Sequence, residues 1–236
     1  MTTPLKAGDR HYRAYVGPPE RYDLMGLSQM GLLFTLGVRE SSRILDIGCG
    51  SLRVGRLLIP FLDAGHYCAI EPNRWLVQEG ILHNLGFEMY MRRRPRFSHN
   101  SDFRYDGFGG RFDFILAQSI LSHTEVGLAR RCLSGLRDAL TDQGLFLGTF
   151  LLPNRAESCR VDPEGEAWCY PECVSFSEPR VHALFQASGL AYWKLEWFHP
   201  RQTWYAASRD SGALDAAEVA LMNGYARGFC PRPQHY

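Results

Sequence analysis

Short apolar runs alternate with longer segments of helical periodicity between residues 42 and 209. The apolar runs are rich in β-branched and aromatic residues and predict strands at 43–47, 66–71, 87–91, 112–118, 145–151, 191–198 and 203–208. The longer segments predict helices at 24–36, 51–62, 73–85, 124–140 and 178–188. This alternation is typical of an α/β domain with a mostly parallel sheet and helical crossovers.

The last two predicted strands are joined by only four residues, 199–202. Because a helical crossover needs a much longer connection, these strands must pair antiparallel. The sequence therefore predicts a seven-stranded sheet that is mostly parallel, ends in a C-terminal antiparallel hairpin and is flanked by helices. We expect a single domain over residues 1–236, in which 1–41 form an N-terminal extension and helix, 42–209 the core, and 210–236 a C-terminal helix (213–227) and tail.

Composition narrows the class of protein further. The 236 residues, 45% of them hydrophobic, suffice for one sizeable core, and a net charge of +1 gives no overall attraction to nucleic acid or anionic membranes. No apolar run approaches the roughly 20 residues of a spanning helix, and the first residues lack an apolar signal core, so we expect a cytoplasmic protein. We expect its seven cysteines to be reduced.

A glycine turn in residues 43–56 follows the first predicted strand and precedes a predicted helix. Gly48 and Gly50 let the backbone approach a ligand where a side chain would block it. A dinucleotide site would have a third glycine at position 53, where this chain has Arg53. Asp46 would repel a pyrophosphate, whereas it would attract the ammonium group of S-adenosylmethionine.

Two further acidic residues lie close to the ends of predicted strands, Glu71 at the end of the second strand and Asp102 before the fourth. Glu71 ends the second strand, where a carboxylate in this type of fold accepts hydrogen bonds from ribose hydroxyls, and Pro72 holds it in an extended conformation. Asp102 lies shortly before the fourth strand, where it could accept a hydrogen bond from the adenine amino group while Phe103 flanks the ring.

Together these motifs resemble the class I S-adenosylmethionine-dependent methyltransferases over roughly residues 43–208. The resemblance implies a Rossmann-like methyltransferase sheet, a glycine turn that cradles the cofactor, a ribose contact from Glu71 and an adenine contact from Asp102. It is carried by segments 45–50 (LDIGCG), 70–73 (IEPN), 100–103 (NSDF) and 112–119 (FDFILAQS) and by the closing hairpin. The other candidate cofactor contacts in or beside these segments are Asp46, Gly48, Cys49, Gly50, Arg53, Pro72, Asn73, Phe103, Gln118 and Ser119.

Methyl transfer from a sulfonium is a direct in-line displacement, so the protein mainly positions the reactants and excludes water. The resemblance places the acceptor beside the end of the fourth strand, where His123 is the candidate catalytic base. The alternative is that His123 only lines the start of the next helix, with Thr124 as the N-cap of that helix.

The long segment 153–177 is a candidate substrate loop, because long loops in compact domains are often lids or binding loops. Its Trp168 and Tyr170 could stack on an acceptor, or they could form a small satellite core beneath the loop. Cys159, Cys169 and Cys173 lack the paired spacing of a zinc site, and no histidine lies in the loop, so we expect no metal. Further candidate substrate contacts outside this loop, each with ordinary packing as the alternative, are Tyr12, Gln29 and His199.

The function that these features favour is methyl transfer to a small molecule, a metabolite or natural-product intermediate, with oxygen favoured over nitrogen as the acceptor atom. One alternative is an RNA or protein methyltransferase, for which the arginines at 92–96 would be the contact; we interpret this cluster as a solvated loop and expect no nucleic acid partner. Another alternative is a noncatalytic cofactor-binding protein with the same fold. The sequence does not indicate an oligomeric state.

Overall fold

The structure is a computed structural model that describes residues 4–156, 158–215 and 219. The chain divides into two compact units, residues 1–112 and 113–236. In the first unit the strands are β1 (Ile44–Ile47), β2 (Tyr67–Ile70) and β3 (Arg96–Ser98), and β2 pairs in parallel with both others. The helices of this unit are α1 (Tyr22–Thr35), α2 (Gly55–Phe61), α3 (Arg74–Gly80), which continues into a wider turn at Ile81–Leu85, and α4 (Phe87–Arg93).

The second unit contains most of the remaining sheet. Its helices are α5 (Val126–Ser134), α6 (Leu136–Ala139) and α7 (Glu178–Ser188). Its long strands are β4 (Phe112–Ala117), which begins at the boundary, β5 (Leu140–Phe150), β8 (Ala191–Leu195) and β9 (Thr203–Ser208). A separate small parallel pair is formed by β6 (Arg160–Val161) and β7 (Val174–Ser175).

Seven of the strands form one mixed sheet in the order β3-β2-β1-β4-β5-β9-β8. The two C-terminal strands are antiparallel, with Ala191 opposite Ser208 and Leu195 opposite Trp204, and β9 is also antiparallel to β5. The predicted fold class is therefore confirmed, including the closing hairpin that the short connection required.

Helix α7 shows how local signals and packing agree in the second unit. The Ser177 side chain caps its first turn by accepting a hydrogen bond from the backbone N–H of Arg180, and Gly189 ends it with a φ of +68°. The helix buries Phe185 against Phe150, with ring centroids 5.9 Å apart. Burial of such aromatic side chains holds α7 on the sheet.

The predicted strand at 87–91 is wrong, because these residues begin helix α4. Phe87, Tyr90 and Met91 have helical spacing, and a run of five residues cannot distinguish the two periods. Phe87 and Met91 are 69% and 57% exposed, which an inner strand would not allow. The helix ends at Arg94, whose φ is +51°, and the strand beside β2 is instead the short β3.

The arginine cluster is also not a simple loop. Arg92 and Arg93 lie in the last turn of α4, where positive charge favours the helix C-terminus, and Arg96 begins β3. Arg96 donates to the backbone oxygen of Phe108. The predicted solvated loop is therefore corrected to a helix end followed by a strand.

Several predicted boundaries shift. The helix predicted from residue 51 begins only at Gly55, the strand predicted from 145 begins at Leu140, and the strand predicted to reach 198 ends at Leu195. The helix predicted from 124 begins at Val126 and is split into α5 and α6 at Gly135. The predicted C-terminal helix, 213–227, falls almost entirely outside the described residues. No helix in the described part of the chain is long and apolar enough to cross a bilayer.

Candidate functional site

The glycine turn of the first unit folds back over the end of β2. Gly48 and Gly50 have φ values of +70° and +55°, and the N–H groups of Gly48 and Cys49 both donate to the Ile70 oxygen, at 2.7 and 3.3 Å. Leu52 also has a positive φ, +63°, although it is not a glycine. This sequence of left-handed residues explains why the helix begins later than its apolar pattern predicts.

Glu71 joins this turn to the tip of β2. Its Oε2 accepts the backbone N–H of Gly50 at 3.0 Å, and its Oε1 accepts the backbone N–H and the side-chain amide of Asn73 at 2.8 and 2.9 Å. The carboxylate is buried, and burial raises its pKa although these N–H donors oppose the change. Pro72, which lies between Glu71 and Asn73 in sequence, is exposed.

Asp46 is a second buried carboxyl group beside the turn, 3% exposed. The Tyr67 hydroxyl donates to its Oδ2 at 2.7 Å. Burial raises the pKa of Asp46 to about 6; the Arg53 charge favours the ionised form and the Glu71 carboxylate disfavours it. The site therefore has an incompletely compensated negative charge.

Arg53 is a partly buried cation beside these acids. Its Nη1 donates to the Val16 oxygen at 3.0 Å, whereas its Nε is buried without a partner in the described part of the chain. Burial lowers the pKa of this guanidinium. The backbone of α1 passes close to Arg53 at Gly26, where an added methyl group would lie 2.6 Å from the Arg53 backbone oxygen. Position 53 holds an arginine, and the glycine at this close contact is on α1 instead.

The segment before α1 packs directly on the glycine turn. The Ser51 hydroxyl donates to the Tyr12 oxygen at 2.6 Å, and the Tyr12 ring stacks on His83 at 5.0 Å. A methyl group on Gly50 would lie 2.5 Å from Val16 Cγ1. Tyr12, a predicted substrate contact, is thus engaged with the turn in this structure.

Gln29 and the Asp102–Phe103 pair are the remaining candidates of the first unit. Gln29 is buried on α1, and its Oε1 has no hydrogen-bond partner among the described residues. Asp102 is partly exposed, and its carboxylate pairs with Arg104 at 3.0 Å. Phe103 is buried with a φ of +57°.

Three further residues, which the sequence motifs did not mark, take part in the contacts of the turn: Tyr67, Tyr22 and Asn84. Asn84 donates to the Tyr22 hydroxyl and to the Ser51 oxygen, both at 2.9 Å, and the Tyr22 hydroxyl also donates to the Ser51 oxygen. Tyr67 could have been found from strand register, because Ile44 pairs with Tyr67 and Asp46 lies two residues further along the same face. Tyr22 and Asn84 are distant in sequence, and no local pattern marks them.

In the second unit, Ser119 is held in a polar network at the end of β4. Its φ is +59°, and its backbone N–H donates to Thr149 Oγ1 at 2.8 Å. The His199 Nδ1 accepts the backbone N–H of Gln202 at 2.8 Å, so in a neutral ring Nε2 carries the proton and donates to Ser119 Oγ at 3.2 Å. Since both ring nitrogens are engaged, His199 orients Ser119.

Gln202, which sequence analysis did not select as a site residue, links this network. Its Oε1 accepts from Thr149 Oγ1 at 2.7 Å, and its Nε2 donates to the hydroxyls of Ser119 and Ser122 at 3.2 and 3.1 Å. Gln118, the neighbour of Ser119, is buried, and its Oε1 has no partner among the described residues.

His123 is oriented by the loop at 153–177. Its Nδ1 lies 2.7 Å from the Glu172 oxygen and must donate to it, so Nε2 of the neutral ring keeps its lone pair. The Tyr170 ring packs edge-on against the imidazole, with centroids 5.1 Å apart. The N-cap interpretation of Thr124 is wrong: Thr124 is extended and pairs with Trp168, its hydroxyl donates to the Leu121 oxygen, and α5 follows Glu125.

Trp168 and Tyr170 are 39% and 37% exposed, so neither is the centre of a satellite core. The buried part of the loop is instead its last segment, where Val174 and Phe176 are fully buried. Within the described residues, no group of three or more histidine, cysteine or acidic side chains is arranged to hold a metal ion.

Comparison of the structure with solved structures identifies the fold. The S-adenosylmethionine-dependent methyltransferase of Clostridium acetobutylicum ATCC 824 has a TM-score of 0.60 at 10% identity, over 85% of this chain and 95% of that chain. Magnesium protoporphyrin IX methyltransferase of Synechocystis PCC 6803, with bound S-adenosylmethionine, has a TM-score of 0.57 at 15% identity, over 80% and 82%. A glycopeptide N-methyltransferase complexed with S-adenosyl-L-homocysteine has 0.56 at 14%, over 79% and 90%.

No family model and no curated protein sequence matches the chain. The fold is that of the class I S-adenosylmethionine-dependent methyltransferases, as the sequence motifs indicated.

Replacing Asp46 with asparagine removes the buried charge and keeps an oxygen that can accept the Tyr67 hydroxyl. The folded-state pKa of about 6 lies above the unfolded value, so this group makes the folded protein less stable as pH rises from about 4 to about 7. We expect Asp46→Asn to stabilise the ligand-free protein by about 1–3 kcal/mol at pH 8 and to change it little at pH 4. Denaturant unfolding at both pH values measures this, with the exposed Asp63→Asn as control; equal effects at both would contradict it.

Replacing Gly50 with alanine should disturb the contact between the turn and the N-terminal segment. The new methyl group combines an unfavourable φ with a 2.5 Å approach to Val16 Cγ1, so we expect a loss of about 1–3 kcal/mol in unfolding free energy. Gly65→Ala is the control, because Gly65 also has a positive φ, +82°, but no atom lies within 4 Å of the added methyl group. It should suffer only the backbone strain and therefore lose less unfolding free energy. Adding Val16→Ala to Gly50→Ala should recover part of the loss; no recovery would mean that Val16 is not the obstacle.

Proposed function

We propose that the chain is an S-adenosylmethionine-dependent methyltransferase that acts on a small molecule, with a hydroxyl oxygen favoured over nitrogen as the acceptor. The observation that carries the proposal is the buried Asp46 carboxylate, which accepts the Tyr67 hydroxyl on one oxygen, beside a glycine turn fixed by Glu71. A buried carboxylate in this state is stabilised by a cation, and the cofactor's amino acid moiety carries an ammonium group.

The other polar groups of the first unit also suit this cofactor. The buried Nε–H of Arg53 has no described partner and can donate to the cofactor's carboxylate. The Glu71 carboxylate accepts three N–H donors and keeps lone pairs for ribose hydroxyls. When bound, the cofactor supplies an electrophilic methyl group on a sulfonium sulfur.

The second unit supplies the groups for the acceptor. Because the Glu172 oxygen takes the Nδ1 proton of His123, Nε2 presents a lone pair that can remove a hydroxyl proton as the acceptor oxygen attacks. The rings of Trp168 and Tyr170 have enough exposed surface to pack against an aromatic or apolar acceptor. A base of this kind supports a hydroxyl acceptor over a neutral amine, which needs no proton removed before attack.

Loss of Glu71 should weaken cofactor binding. We expect Glu71→Ala to reduce S-adenosylmethionine affinity by about 1–3 kcal/mol, because charge-assisted hydrogen bonds to the ribose and the anchor of the Gly50 N–H are both lost. Isothermal titration calorimetry measures the affinity, and thermal unfolding checks that the variant folds. Glu88→Ala, on the exposed face of α4, is the control and should bind as the unaltered chain does. Tight binding of a nicotinamide dinucleotide with no response to S-adenosylmethionine would refute the proposal.

Loss of His123 should affect the chemical step. With a hydroxyl acceptor found by screening, we expect His123→Ala to lower kcat by at least about 100-fold and to leave cofactor affinity unchanged. His182→Ala, on the exposed part of α7, is the control. A loss below about tenfold would show that His123 only lines the site.

A further inference from the structure

A thiol on the candidate substrate loop lies among cationic and imidazole groups. Cys173 Sγ accepts from Arg201 Nη2 at 3.2 Å and lies 4.0 Å from His123 Nδ1. The Cys173 side chain is only partly buried, so small reagents in solution can reach it. Its neighbours come from three elements: the turn before α5, the loop between β8 and β9, and the candidate substrate loop itself.

The same loop contains two thiols in different surroundings. The hydrogen bond with His123 and the charge of Arg201 lower the pKa of Cys173, although burial opposes them. Burial raises the pKa of Cys159 and of Cys169, in the latter case against the charge of Arg160. The titratable or charged groups that act on Cys173 are His123 and Arg201, and the charge of Cys173 in turn raises the pKa of Cys159.

We propose that Cys173, whose sulfur lies between Arg201 and His123, is a reactive thiol and that small peroxides and other soft electrophiles modify it selectively among the thiols of this loop. With a peroxide, the thiolate sulfur attacks one oxygen, the O–O bond breaks, and the leaving hydroxide or alkoxide takes a proton from solvent. The sulfur is oxidised by two electrons to a sulfenic acid, and the peroxide is reduced to water or an alcohol.

Oxidation of Cys173 would affect His123, the candidate catalytic base. Glu172, whose backbone oxygen holds His123 Nδ1, directly precedes Cys173 in sequence. An oxygen added to the sulfur enters the space between His123 and Arg201. It therefore changes the position and the hydrogen bonding of the imidazole. This consequence rests on the proposed function, whereas the reactivity of the thiol does not.

Alkylation of the native, full-length protein tests the reactivity without an assay of methyl transfer. Iodoacetamide is applied from pH 6 to pH 9, and the rate at each cysteine is read by peptide mass spectrometry. We expect Cys173 to react at least about threefold faster than Cys159 and Cys169 at pH 7, since the reacting species is the thiolate. Equal or slower alkylation of Cys173 would overturn the proposal.

Two variants test whether Arg201 and His123 are the cause of the reactivity of Cys173. Arg201→Met and His123→Phe should each shift the pH midpoint of Cys173 alkylation upward, whereas Arg155→Met, an exposed arginine of the same loop, should not. Unchanged midpoints in both variants would overturn the proposal. Should a variant fail to fold, the unaltered protein treated with hydrogen peroxide and a sulfenic-acid trap decides: the adduct is expected on Cys173, and adducts on Cys159 or Cys169 in equal yield would refute selectivity.

Discussion

The Glu71 carboxylate is the constraint on which the first unit depends. Three N–H donors converge on it, and one of them, from Gly50, fixes a turn whose residues have left-handed φ values. Burying this carboxylate beside Asp46 places two acidic groups in one region, where the Arg53 charge favours only the ionised form of Asp46. Burial is the main cause of the raised pKa of each acid. The geometry of the turn is therefore built at an electrostatic cost that a cationic ligand would offset.

In the second unit, the residues at the end of β4 are held by a network of neutral hydrogen bonds. Gln202 on the approach to β9 joins Thr149 of β5 to Ser119 and Ser122, so the antiparallel pairing of β5 and β9 also positions the residues after β4. His199 has both nitrogens occupied in this network, whereas His123 has one engaged. His199 therefore has no free nitrogen to accept a proton, whereas His123 has one. The difference arises from their hydrogen-bond partners, which cannot be identified from the sequence.

Much of the fold could be predicted because local signals agreed with tertiary packing. Helix α7 has a serine cap and a terminating glycine, and β9 is forced to be antiparallel by a four-residue connection. The strand predicted at 87–91 failed because an apolar run of that length fits either period. In the candidate site, Asp46 and Glu71 were selected by motif, whereas Tyr67 and Gln202 join it through contacts across 21 and 53 residues. Such partners become visible only once the chain is folded.

The packing of the N-terminal segment on the glycine turn bears on how the protein is made. Tyr12 and Val16 bond to the turn across 39 and 37 residues, and the contacts that shape the turn, from Tyr12 to Asn84, all lie within the first unit. Synthesis proceeds from the N-terminus, and compact units generally fold as they emerge. The segment that covers the turn is therefore already outside the ribosome when the turn appears. The first unit, including the glycine turn and its two buried acids, can therefore be complete before β5, β8 and β9 have been translated.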